Sequence, residues 1–116
     1  MSQLIEKHLA VFTPEYPAGE EEYILDETHD VWIKSYSIYV LGKAMASGEC
    51  GYVYLWRDVD HYTLMLPLEY GTPRMVEKSF GDDYLLLPAG EDLCIRWVLP
   101  STGYMIGGDV TYVLAT

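Results

Sequence analysis

The chain has 116 residues, half of them apolar and 11 of them tyrosine, with 18 acidic against 7 basic side chains and a formal charge of −11. That charge repels phosphate backbones and anionic lipid, which excludes a nucleic-acid binder, and no stretch approaches the ~20 apolar residues of a membrane-spanning helix. The start, MSQLIEKHLAVF, lacks the basic residues and continuous apolar run of a secretory signal, so a cytosolic origin is expected and Cys50 and Cys94 are expected to stay reduced.

Residues 1–16 carry Leu4, Ile5, Leu9, Val11 and Phe12 without helix caps at either end. This reads as an extended N-terminal arm that docks by adding a strand to a neighbouring molecule. Residues 17–116 are expected to form one β-domain. Its first residues, Pro17-Ala18-Gly19-Glu20, recur as Pro88-Ala89-Gly90-Glu91. Proline presets φ and glycine tolerates positive φ, so both copies are expected to be rigid turns feeding strands, with proline second and glycine fourth in the turn. The flanks EEYI and DLCI share too little for a duplicated ligand site.

After the first copy, Gly19 to Asp30 concentrates six acids, Glu20, Glu21, Glu22, Asp26, Glu27 and Asp30. The segment lacks the alternating ligands and central glycine of a calcium loop and reads as a solvated acidic face. Strand signals then follow in order: Val31 to Leu41, Tyr52 to Trp56, Tyr62 to Leu66, Asp92 to Leu99 and Asp109 to Ala115. Each is rich in β-branched and aromatic residues and bounded by Gly, Pro, Asp or Ser. Alternation places Leu93, Ile95, Trp97 and Leu99 on one core face, as it does Val110, Tyr112 and Leu114, and Val53 with Leu55. On the Tyr52, Tyr54, Trp56 side the same strand is apolar as well, which suits a cover or a partner contact. Many short strands and no capped helix predict an all-β fold, a single antiparallel β-sandwich of jelly-roll type.

Chemistry is not signalled. His8, His29 and His61 have no partner at zinc spacing, Ser47 and Ser101 lie in ordinary turn sequences, and the glycines of YMIGGDV precede no helix. Carboxylate pairs such as Glu69 or Glu91 with Asp58 or Asp60 arise in any chain so rich in acids. The expectation is a non-enzyme with no cofactor and no metal.

The stretch IKSYSIYVLGKAMASGECGYVYLWRD, followed by DDYLLLPAGEDLCIRWVLPSTGYMIGGDVTYVLAT, resembles small β-sandwich structural proteins of tailed bacteriophages over about residues 31 to 116. Leu87-Pro88-Ala89-Gly90-Glu91 and Gly108-Asp109-Val110-Thr111-Tyr112 carry the likeness, whereas Pro14 to Asp30 has no counterpart in it. The resemblance implies a virion protein that decorates or cements a capsid. Its partner would be the major capsid or another virion protein, and its own state a homo-oligomer, with a trimer favoured. Its location would be the virion, and the host cytoplasm during assembly. Contacts would come from the arm residues and from Tyr52, Tyr54 and Trp56. Two other roles fit the composition. One is a small acidic inhibitor of the anti-defence type, set against a basic host surface through the six acids named above. The other is a carbohydrate-binding module using Trp32, Trp56 or Tyr54.

Overall fold

The computed structural model describes residues 4–57 and 62–115, with the backbone alone for Ala10, Trp56, Arg57, Tyr62 and Thr63. Among them are nine strands: β1 Ile5–Phe12, β2 Ala18–Ile24, β3 Val31–Leu41, β4 Cys50–Arg57, β5 Tyr62–Glu69, β6 Met75–Ser79, β7 Leu85–Leu87, β8 Asp92–Val98 and β9 Met105–Leu114. One sheet runs β1-β9-β3-β6 with β7 also on β3, and the other runs β2-β8-β4-β5. Every pairing is antiparallel. The pair β8 and β9 is flanked in both sheets by β1 with β2 on one side and β3 with β4 on the other. That winding is a jelly roll, and the expected all-β sandwich stands.

Alternation builds the core as the sequence implies. Leu93, Ile95, Trp97 and Leu99 are buried, as are Val53, Leu55, Val110 and Tyr112, and Leu114 packs against their cluster. Full burial of an aliphatic or aromatic side chain is worth about 1.5–3 kcal/mol, so this two-sided layer is the main source of stability. β9 starts earlier than the sequence suggests. Gly107 and Gly108, outside the expected strand, lie inside β9, where a Cβ at Gly107 would stand 2.5 Å from the Tyr39 ring and one at Gly108 2.8 Å from the Ser37 carbonyl oxygen. Here glycine serves close approach between paired strands.

The N-terminal segment departs from the expectation of a docking arm. Ile5 to Phe12 is an integral strand of the domain, paired with β9 from Ile5↔Tyr112 to Phe12↔Ile106. Its alternate apolar residues fill the sandwich's own core: Leu9 is buried, and Ile5 and Phe12 pack on the cluster. Only Leu4 and Val11 of the five are exposed.

The two cysteines are not disulfide-bonded, Cys50 exposed and Cys94 buried. Cys94 pairs with Trp56, six positions along β4 from Cys50. At ~3.3 Å per residue that is roughly 20 Å, far beyond disulfide reach.

Candidate functional site

On the outer face of the β2-β8-β4-β5 sheet the register sets side chains in rows across all four strands. Ala18, Val98, Tyr52 and Pro67 form one, and Glu20, Arg96, Tyr54 and Met65 the next. Glu22 and Cys94 belong to the third, which continues through the register positions of Trp56 and Thr63. In the second row Arg96 donates to Glu20 Oε2 from Nε and Nη2, at 3.3 and 3.1 Å, and from Nη1 to the Tyr54 hydroxyl at 3.2 Å. These bonds, first that to Tyr54, raise the Arg96 pKa and hold its charge. Tyr54 stacks on Tyr52, with ring centroids 5.6 Å apart at 20°. The first row carries no charge and adjoins Met65, which is 53% exposed. The structure thus brings Tyr52 and Tyr54 together on a partly exposed apolar band. Trp56 holds a register position on the same face, and its side chain lies outside the described set.

The acidic segment divides into two parts with different roles. Glu20 and Glu22 point outward from β2, while Asp26 and Asp30 work inside the loop that follows. Asp26 Oδ1 accepts the backbone N–H of Thr28 at 2.9 Å and of His29 at 2.8 Å, and these bonds lower its pKa to about 2. Asp30 Oδ1 accepts the N–H of Ala89 at 2.8 Å, and the Asp26 carbonyl accepts that of Gly90 at 2.9 Å. The acidic loop is therefore the mount for the second Pro-Ala-Gly-Glu segment.

That segment is a turn closed by Glu91 N–H to the Pro88 carbonyl at 3.1 Å, with Gly90 at φ +76° in its third position. Proline is first in this turn, one place earlier than expected, and the positive φ explains the glycine. In the other copy Ala18 and Gly19 already belong to β2, and Gly19 faces Trp97 across the pair. A Cβ there would meet Trp97 at 2.8 Å. The repeated string serves two different structural needs.

Of the aromatics named for a sugar contact, Trp32 and Tyr54 lie on opposite sheets, and Trp56 holds a register position on the face of Tyr54. Trp32 lies on the outer side of the other sheet, 41% exposed and packed on Tyr84 with centroids 5.0 Å apart. Lys34 Nζ stands 4.0 Å from the Tyr84 ring. Tyr54 faces away on the opposite sheet.

A cleft of about 260 Å³ crosses the outer side of the β1-β9-β3-β6 sheet, with His8, Asp109, Ser37 and Glu77 in one register row. No local pattern signals this row, because its ends, His8 and Asp109, are 101 positions apart and its members meet only through strand pairing. His8 contacts Asp109 through Nδ1. The order across the strands is imidazole, carboxylate, hydroxyl. A serine relay needs the imidazole between the other two, so the row lacks the arrangement for nucleophilic catalysis. Among the described residues, no group of three or more His, Cys, Asp or Glu is placed to hold a metal ion. His61, Asp58 and Asp60 lie outside them.

No family model matches the chain, and no curated protein matches it. Solved structures do. The Drosophila NLP core, described for pentamer formation and histone binding, aligns with a TM-score of 0.50 at 16% identity, over 95% of this chain and 98% of that one. The capsid of the virus-like particle of the extra small virus of the prawn Macrobrachium rosenbergii aligns with a TM-score of 0.50 at 9% identity, over 97% of this chain and 79% of that one. At such identity the likeness is one of fold.

Proposed function

We propose that the chain is a non-enzymatic structural protein of a virion, a jelly roll used in many copies that decorates or cements a shell. The observation that carries this reading is the uncharged band of Ala18, Val98, Tyr52 and Pro67 with Met65 beside it, crossing all four strands of one sheet in a chain of charge −11. A soluble chain with that excess of acids has side chains to spare for coating this face. An uncoated band that includes tyrosine and methionine has the composition of the central part of a protein interface. Binding a lattice requires area and shape rather than reactive groups, and the polar row on the other sheet lacks a relay order. The likeness in fold to a virus capsid protein and to a pentamer-forming core supports use in a symmetric assembly, with a homo-oligomer as its unit.

The test is co-sedimentation of purified chain with shells stripped of it, comparing wild type with Tyr52→Glu/Met65→Glu. The reading predicts saturable binding by wild type and a loss of at least about tenfold in the variant, since two charges would be buried against apolar surface. Equal binding by both proteins would remove the band from the account.

A further inference from the structure

Among the described residues five strands are paired on one side only, and four of them are closed to strand addition by recognisable devices, β7 by being three residues long. β1 has a register shift between Leu9 and Phe12, β6 is five residues long, and β5 carries Pro67, which has no N–H. β2 has none of these. It keeps unbroken register with β8 from Ala18 to Ile24 and contains no proline. Among the described residues no strand pairs with its other side.

Beside this edge, at the seam between the sheets, lies a groove of about 410 Å³ running along Ala18 to Glu21. Its floor is Phe12 from one sheet and Trp97 from the other, edge to face with centroids 5.3 Å apart. The indole is fixed by its Nε1–H donating to the Tyr16 carbonyl at 3.0 Å. Glu15, Glu20 and Glu21 line the same groove. Glu20 meets Arg96, and Glu21 accepts the Tyr23 hydroxyl at 2.7 Å, each through Oε2.

We propose that the β2 edge and this groove form a docking site for an extended basic segment of a partner protein, added to the sheet as a further strand. Charge selects the occupant. A second copy of this chain pairing edge to edge would set Glu20, Glu21 and Glu22 against the same three glutamates. A strand with lysine or arginine at alternate positions meets complementary charge instead. One long side chain lays its aliphatic stem over Phe12 and Trp97 and places its cationic head among Glu15, Glu20 and Glu21. The inference does not depend on the shell reading, because it rests on the β2 edge, the Phe12–Trp97 floor and the groove's acids, and shares only Ala18 with the uncharged band.

The experiment is calorimetric titration of the full chain with three synthetic peptides of about eight residues, the length of one strand. They are KTKVKTKV, its glutamate counterpart ETEVETEV, and KPKVKPKV, which keeps the charge but loses backbone donors. Amide hydrogen exchange then locates the contact. The expected result is binding by KTKVKTKV with slowed exchange confined to β2. Glu15→Gln/Glu21→Gln should weaken it by about tenfold or more, and the proline peptide should bind at least about tenfold more weakly. Equal affinity for both basic peptides, protection mapping elsewhere, or no binding of KTKVKTKV at low salt would overturn the proposal.

Discussion

Trp97 and Gly19 face each other across the β2–β8 pair so closely that a Cβ on the glycine would stand 2.8 Å from the indole Cζ2. The buried indole is also bonded through Nε1 and packed on Phe12, so it has little room to yield. Gly19→Ala is therefore expected to destabilise the domain by about 1–3 kcal/mol, the usual cost of overpacking. Urea denaturation of both proteins checks this. A midpoint equal to wild type would mean that the indole moves freely.

A second prediction concerns the bond between Asp30 Oδ1 and the Ala89 N–H, which joins residues 59 positions apart. Asp30→Ala leaves that N–H to water at an exposed site and should cost about 0.5–1.5 kcal/mol. Asp30→Asn retains an acceptor and should recover most of the loss. Thermal melts of the three proteins measure the difference.

The pH dependence has a definite sign at Asp26, whose pKa falls from 3.8 to about 2, chiefly through backbone bonds from Thr28 and His29. A folded-state pKa below the unfolded one gives stabilisation that is complete above the unfolded value and is lost as pH falls from about 4 toward 2. Asp26→Asn should flatten stability over that window and leave its shape near neutral pH unchanged. Denaturant midpoints taken through the acid range provide the readout.

Thiol labelling offers a simple check of the strand register. Exposed Cys50 should react with a maleimide under native conditions, and buried Cys94 only on unfolding. Rapid loss of both thiols in the folded protein would contradict the placement of Cys94 beneath the Glu20 and Glu22 side of β2.

The sequence made the centre of the sandwich legible. Leu93, Ile95 and Trp97 alternate with Cys94 and Arg96 strongly enough to define strand and face. The periphery was harder to read. β1 has the apolar content of either an arm or a strand, and only its pairing with β9, about a hundred residues away, decides between them. β6 and β7 are five and three residues long, too short for periodicity to register. Gly107 and Gly108 imitate a turn until the Tyr39 ring and the Ser37 carbonyl are seen to lie against them. The six acids look like one patch in sequence, yet Asp26 is committed to bonds within its own loop and Asp30 to the Ala89 N–H far along the chain. The seam groove joins Phe12 to Trp97, and no local pattern connects residues on different sheets.

The central claim, a structural protein used in many copies, is tested most directly by quantitative mass spectrometry of virus particles purified from the source of this chain. Its copy number is measured against the major shell protein. The account predicts a ratio near one or a simple fraction of it, as a lattice-bound protein must show. Absence of the chain from the particles would contradict it.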